Sequence, residues 1–198
     1  MSRFTRKQNT RQPNKVIRIY TEGTVTEPNY FNSIKNELRL PEVEINVYGC
    51  GDHTVPLVKL AVARKEEIGA DEETEWWVVI DKDDHDGFDE SISLAKKNDI
   101  NVAYSNECFE LWFILHFEYL NTSIGRKRYF EKLDTLLGTS YEKNSNIYHL
   151  IKDREATAIH NAKNLEKTHN DSGEDSFENR DPSTTVYLLV ERIRSLKA

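Results

Sequence analysis

The sequence is poor in cysteine and has no long apolar stretch. Only Cys50 and Cys108 occur among 198 residues, and neither belongs to a CxxC pair, so we expect neither a disulfide framework nor a cysteine-based metal site. No segment approaches the roughly 18 consecutive apolar residues of a transmembrane helix. The basic segment MSRFTRKQNTRQPNK is not followed by the apolar stretch of a secretory signal. These absences predict a cytoplasmic protein without membrane association.

Several short motifs of catalysis and nucleotide binding are also missing. The chain has no GxSxG nucleophile turn, no GxxxxGKS phosphate loop and no GxGxxG dinucleotide turn. The segment DKDDHDGF at 81–88 begins like an EF-hand calcium loop, but no glutamate closes such a loop on flanking helices. Any catalytic or binding site must therefore be formed by residues outside these motifs.

Charge is unevenly distributed along the chain. The total is acidic, with 27 Lys and Arg against 34 Asp and Glu and a net charge of -7, which normally argues against a nucleic-acid partner. However, residues 1–18 contain six basic residues and no acidic one, whereas residues 71–90 contain ten acidic residues against Lys82. The segment 1–15 is interpreted as a flexible basic tail, which either contacts phosphates or is merely solvated.

Strand and helix patterns alternate through the first half of the chain. The run EWWVVID at 75–81 is continuously apolar in its middle, which is typical of a strand buried on both faces. The pattern predicts an α/β core over 16–105, with a largely parallel central sheet of about four strands flanked by helices. The predicted strands are 16–23, 43–49, 75–81 and 100–104, and the predicted helices between them are 26–40, 54–68 and 89–97.

The second half, 106–198, has a helical pattern. We expect it to pack on the sheet as a C-terminal extension rather than to form a separate domain, because no long linker precedes it. Predicted helices cover 107–118, 126–137, 146–169 and 184–196. The polar segment 168–182 is predicted to be a mobile loop.

Acidic residues follow two of the predicted strands. Glu22 lies at the carboxyl end of the first predicted strand, and Asp81 and Asp83 lie at the carboxyl end of the third. Ligands of parallel α/β sheets bind outside the carboxyl ends of the strands, and residues two apart in extended backbone point the same way. Converging carboxylates repel one another unless a divalent cation binds among them, and oxygen ligands favour Mg²⁺ or Mn²⁺ and phosphoryl-transfer chemistry. The alternative for the acidic turn alone is a solvated surface loop.

Two polar residues interrupt an apolar run. Glu110 and His116 are the exceptions among the ten residues from Cys108 to Phe117. A buried carboxyl or imidazole group needs either a partner or a function. They are about 120° apart around a helix, so they are not expected to share one contact. Each is either a functional group or a satisfied polar group of the core.

Four motifs resemble the RloB family, whose members are linked to restriction-modification loci and abortive phage resistance. They are IYTEGTVTEPNYF (19–31), VVIDKDDHDGF (78–88), SNECFELWFILHF (105–117) and NRDPSTTVYLLVERI (179–193). They span nearly the whole chain, and the third is the most specific. One departure is Glu107, where the family usually has proline.

The resemblance implies a Toprim-like fold, with a glutamate after the first strand and a DxD after the third. Glu22, Asp81 and Asp83 match those positions, which in Toprim enzymes bind Mg²⁺, and the glutamate can also transfer a proton. The implied activity is metal-dependent cleavage of nucleic acid, either RNA or DNA and with tRNA among the candidates, by an effector of anti-phage defence. The resemblance also implies an AAA/ABC-type ATPase partner, which would be a separate protein because this chain has no ATPase motif.

The resulting hypothesis is an Mg²⁺- or Mn²⁺-dependent endonuclease. The proposed metal ligands are Glu22, Glu27, Asp81 and Asp83; Glu110 and His116 are added as catalytic candidates, and the proposed phosphate contacts are Arg126, Lys127, Arg128 and Lys152. One alternative is a non-catalytic Toprim module that binds nucleic acid or the ATPase partner. A second is an enzyme that acts on small phosphate esters or nucleotides, and homo-oligomers are left open.

Overall fold

A five-stranded sheet forms the centre of the protein. The computed structural model describes residues 15–69, 72–84 and 86–197, so the predicted basic tail, apart from Lys15, lies outside the described residues. The strands are β1 (Lys15–Thr21), β2 (Val43–Gly49), β3 (Thr74–Lys82), β4 (Asn101–Asn106) and β5 (Ser183–Thr184). Their order is β2-β1-β3-β4-β5. The first four are parallel, and β5 pairs antiparallel with β4.

Helices surround this sheet, and three short 3₁₀ turns accompany them. Over the described ranges the α-helices are α1 (Thr26–Leu38), α2 (Thr54–Ile68), α3 (Phe88–Lys97), α4 (Glu110–Leu115), α5 (Arg126–Leu137), α6 (Tyr148–Ile151), α7 (Glu155–Asp171) and α8 (Val186–Arg194). The 3₁₀ turns are Lys152–Arg154, Phe177–Asn179 and Ser195–Lys197. None of the helices in this part of the chain is long and apolar enough to cross a membrane.

The sheet separates two apolar layers. Trp77 and Val79 of β3 pack with α1 and with the C-terminal helices, whereas Trp76, Val78 and Ile80 pack with α2 and α3 on the other face. This alternation follows from the pleat of a strand, and it confirms that β3 is buried on both sides. Because α4, α5, α7 and α8 share one core with β1, the C-terminal helices pack directly on the sheet.

The α/β class and the largely parallel sheet predicted from the sequence are confirmed. The helix predicted at 54–68 has those bounds. The fifth strand was not predicted, because Ser183 and Thr184 are too few to produce a periodic pattern. They form a strand through tertiary pairing with Ser105 and Asn106, supported by a hydrogen bond of 2.9 Å between the Ser105 and Thr184 hydroxyl groups.

The helical half differs from the prediction in four places. The helix predicted at 184–196 is shorter, since Thr184 belongs to β5 and α8 covers Val186–Arg194. The helix predicted at 107–118 is shorter, since α4 covers Glu110–Leu115. The helix predicted at 146–169 is interrupted by the 3₁₀ turn at Lys152–Arg154, and α7 then continues to Asp171. The segment predicted as a mobile loop over 168–182 therefore begins as helix. Its remainder is held by hydrogen bonds, including one of 3.0 Å from Arg180 Nε to the Glu174 carbonyl.

Candidate active site at the carboxyl edge of the sheet

Glu22 is fixed directly after β1. Its backbone N–H donates to the Val79 carbonyl of β3 at 3.2 Å, so the residue stays attached to the sheet after the strand has ended. Thr54, the first residue of α2, donates its hydroxyl hydrogen to Glu22 Oε1 at 2.5 Å. The Glu22 carboxyl group is therefore oriented by the start of the neighbouring helix.

Two glycines allow the turn between β1 and α1 to pack tightly. The Gly23 N–H donates to Glu27 Oε1 at 3.3 Å, and a Cβ atom at Gly23 would lie only 2.1 Å from Glu27 Oε2. A Cβ atom at Gly49 would lie 2.8 Å from the Cα of Thr24. The absence of a side chain at Gly23 lets Glu27, in the first turn of α1, fold back against the end of β1, and its absence at Gly49 lets the end of β2 approach the same turn.

Asp81 lies near the end of β3. Its Oδ2 atom is 3.6 Å from Nη2 of Arg126, and its side chain is 13% exposed. Its Oδ1 atom is buried and has no hydrogen-bond partner among the described residues. Because a buried carboxylate oxygen without a partner is costly, Asp81 has an acceptor available for a ligand.

Glu110 approaches from the helical half. It is the first residue of α4 and is 3% exposed. The hydroxyl group of Tyr141 donates to Glu110 Oε1 at 3.1 Å. Phe109 and Trp112 beside it pack edge-on against Tyr30 of α1, so the apolar run anchors α4 while Glu110 itself faces a polar partner.

These carboxyl groups surround one cavity, and a second cavity adjoins it. The first has a volume of about 280 Å³; its ionisable lining consists of Glu22, Glu27, Asp81, Glu110, Arg126 and Lys143. The second has a volume of about 410 Å³; its ionisable lining consists of Lys82, Asp83, Asp84, Glu107, Arg126, Glu178 and Asp181. Arg126 lines both, so the two cavities meet at its side chain.

Burial and mutual repulsion raise the pKa values of the carboxyl groups in the first cavity. Burial raises the pKa of Glu22 to about 8, with further increases from Asp83 and Glu27 and an opposing effect of the Thr54 hydrogen bond. The pKa of Asp81 is raised well above its usual value by burial and then by the charges of the other carboxylates, against the effect of Arg126. Burial also raises the pKa of Glu27, and Lys143 lowers it. A cation in this cavity would relieve the repulsion.

The donor set suits a hard divalent cation. Carboxylate oxygens are the ligands that Mg²⁺ and Mn²⁺ prefer, and the unpartnered Oδ1 atom of Asp81 is one such oxygen. Within the ranges that the structure describes, however, no group of three or more His, Cys, Asp or Glu side chains is already arranged to hold a metal ion. The residues therefore fit the chemistry of the ion, but their carboxyl groups would have to move together to bind it.

Asp83 faces a different cavity from Asp81. The expectation that both carboxylates point the same way assumed extended backbone through residue 83, whereas β3 ends at Lys82. Asp83 lines the second cavity, and its Oδ2 atom is 3.9 Å from Nδ1 of His53. It is still close enough to Glu22 to raise the pKa of that group.

Two of the predicted site residues lie away from these cavities. His116 is 1% exposed, its Nδ1–H donates to the Trp112 carbonyl at 2.8 Å, and burial lowers its pKa to about 4; it is a neutral core group of the helical half. Lys152 pairs with Glu37 at 3.0 Å. Since Glu37 is ten residues beyond Glu27 on α1, Lys152 is separated from the first cavity by about 15 Å along that helix.

The remaining predicted basic residues form the first turn of α5. Lys127 and Arg128 are exposed beside Arg126, and the side chain of Lys127 is 91% accessible. This turn contains no acidic residue. Cations at a helix N-terminus are disfavoured by the helix dipole, but Arg126 lies near Asp81 and Lys127 lies 3.9 Å from Glu131.

Sequence reasoning missed three residues that shape the first cavity. Thr54 was recognised only as the start of a helix, although it follows a strand end and carries a hydroxyl group. Tyr141 and Lys143 lie between α5 and α6, and no local pattern connects them with Glu27 or Glu110. Only the packing of the helical half on α1 brings them to the cavity.

The fold and the site define an α/β protein with an acidic cavity at the carboxyl edge of a parallel sheet, completed by its C-terminal helices. The family model described as RloB-like protein matches residues 17–193, and the chain belongs to that family. No curated protein and no solved structure matches the chain.

Proposed function

We propose that this RloB-like protein is an Mg²⁺- or Mn²⁺-dependent nuclease that cleaves phosphodiester bonds of RNA or DNA. The observation that carries the proposal is the convergence of Glu22, Glu27, Asp81 and Glu110 on one cavity next to the basic first turn of α5. The sequence resemblance to proteins of abortive phage resistance suggests the biological setting, in which the nuclease acts as a defence effector under a separate ATPase.

The roles follow from the position of each group. Asp81, Glu22 and Glu27 would hold the ion, and Asp83 would complete the site from the adjoining cavity. When bound, the ion neutralises phosphate charge, activates a water molecule and stabilises the leaving oxygen. In the metal-free protein Glu22 has a pKa of about 8, so it would release its proton on binding the ion or, where it does not bind the ion, could transfer a proton near neutral pH. Thr54 orients its carboxyl group in either role.

The other residues position the reacting groups. Tyr141 holds the Glu110 carboxyl group in place, which keeps it directed into the cavity. Arg126, Lys127 and Arg128 are assigned to backbone phosphates of the substrate, which they would contact without reading its sequence.

The test is cleavage of total cellular RNA, plasmid DNA and free nucleotides with and without Mn²⁺, with and without the ATPase partner. Asp81→Asn is expected to abolish Mn²⁺-dependent cleavage while the melting temperature shows that the variant is folded. Glu72→Gln removes an exposed carboxylate just before β3, at the opposite end of that strand, and serves as the matched control. Wild-type protein that cleaves no polynucleotide under any of these conditions would contradict the proposal, and turnover of free nucleotides alone would assign the site to small phosphate esters.

A second candidate is a non-catalytic module that binds nucleic acid or the ATPase partner. It is favoured by the absence, among the described side chains, of a ready-made group of three metal ligands, and by the ion pair between Arg126 and Asp81. Polynucleotide binding that is unaffected by Mn²⁺ and by Asp81→Asn would support this candidate over the nuclease.

A further inference from the structure

Arg126 occupies the junction of the two acidic cavities. Among the described residues it is the one basic side chain that lines both. The other basic residues of the lining, Lys82 and Lys143, each contact a single cavity. Arg126 is therefore placed to neutralise carboxylates on either side.

The contact of Arg126 with Asp81 is loose. Their closest atoms, Nη2 and Oδ2, are 3.6 Å apart, and the Arg126 side chain is 47% exposed. A bidentate pair of arginine and carboxylate has shorter, directed hydrogen bonds. The interaction is thus mainly coulombic, which makes it replaceable by another cation.

The placement of Arg126 is not explained by its own helix. As the first residue of α5, it lies at the helix end where the dipole disfavours a positive charge. The nearby acidic cavities supply the compensating attraction. At the same time the Oδ1 atom of Asp81 is buried without a partner, so Asp81 can accept a second cation before Arg126 leaves.

We propose that Arg126 is a built-in counter-cation that competes with the divalent metal ion for Asp81. Arg126 neutralises part of the negative charge of the cavity when no metal is bound, and it loses its contact with Asp81 when the ion binds. The inference rests on the metal site of the proposed function. By linkage, an interaction that stabilises the metal-free protein and is lost when the ion binds weakens metal binding by the same free energy.

The test is calorimetric titration of Mn²⁺ into four proteins: wild type, Arg126→Gln, Arg126→Lys and Lys127→Gln. Arg126→Gln is expected to bind Mn²⁺ roughly fivefold to tenfold more tightly, because a coulombic competitor at about 4 Å has been removed. Arg126→Lys retains the charge and should stay close to wild type. Lys127→Gln removes the same charge from the next residue, whose side chain is 91% accessible, so it measures the general effect of net charge.

Thermal unfolding provides the second readout. Without metal, Arg126→Gln should melt at a lower temperature than wild type, and saturating Mn²⁺ should raise its melting temperature by more than it raises that of wild type. Equal or weaker Mn²⁺ binding by a folded Arg126→Gln variant, with the wild type binding normally, would overturn the competition and leave the nuclease proposal standing. No Mn²⁺ binding by any of the four proteins would overturn both.

Discussion

At the scale of single residues, Glu22 is the clearest case in which burial changes the pKa of a side chain. Its pKa of about 8 in the folded chain compares with 4.5 for an unperturbed glutamate. Between these values the folded state binds a proton that the unfolded state does not. The free energy of unfolding therefore falls as the pH rises from about 4.5 to about 8, by at most about 1.4 kcal/mol per pH unit. Above this range, Glu22 adds no further pH dependence.

Glu22→Gln should remove this pH dependence. We expect the free energy of unfolding of the variant to decline less between pH 5 and pH 8 than that of wild type, and the two proteins to differ most at pH 8. Urea denaturation at several pH values, without divalent cations, measures the difference. Glu72→Gln is the control, and an unchanged slope in Glu22→Gln would show that Glu22 titrates normally.

Gly23 controls the position of Glu27. In Gly23→Ala, the three atoms nearest to the new Cβ atom all belong to the flexible end of Glu27, so this side chain is expected to swing away and the loss of stability to stay within about 1 kcal/mol. Mn²⁺ affinity, in contrast, should fall to the level of Glu27→Gln, since both changes remove the Glu27 carboxylate from the cavity. Titration calorimetry combined with urea denaturation separates the two effects. Unchanged Mn²⁺ affinity in both variants would exclude Glu27 as a ligand.

At the scale of secondary-structure elements, the end of α8 is tied to three other helices by one side chain. Arg194 donates to both carboxylate oxygens of Glu155 in α7, to Glu37 in α1 at 2.9 Å, and to the Tyr148 hydroxyl group in α6 at 2.9 Å. Such a network holds the helical half against α1, the helix that carries Glu27.

Arg194→Met should destabilise the protein by about 1–3 kcal/mol, because it leaves partly buried acceptors without their donor. Lys163→Met, which breaks the more exposed pair with Glu191, should change the free energy of unfolding by less than about 1 kcal/mol. Urea denaturation of both variants checks the contrast. Equal effects would mean that the Arg194 network contributes no more than an ordinary surface pair.

The elements that sequence could predict are those whose pattern is local. The strands β1 to β4 and the helix α2 have their own apolar periodicity, and the rule for parallel sheets was enough to bring Glu22 and Asp81 to one edge. Ser183 and Thr184 have no such pattern. The break at Lys152–Arg154 was not predicted either, because the sequence has no proline or glycine there to mark it. Tyr141 and Lys143 reach the site only through the same long-range packing.

At the scale of the whole molecule, charge is the organising feature. The described linings of the two cavities contain nine carboxylates against Lys82, Arg126 and Lys143. Phosphate groups of a nucleic acid would be repelled from such a surface unless divalent cations were bound there. The acidic net charge of -7 is thus compatible with cleavage of a nucleic acid at these cavities when divalent cations are bound there, and metal binding is the condition on which the proposed activity depends.

The most direct measurement is therefore calorimetric titration of Mn²⁺ into the wild-type protein and into Asp81→Asn, with Glu72→Gln as the control. We predict saturable binding to the wild type and to Glu72→Gln, and loss of that binding in a folded Asp81→Asn variant. Mn²⁺ binding of equal strength in wild type and Asp81→Asn, or its absence from the wild type, would contradict a metal-dependent site at the carboxyl edge of the sheet.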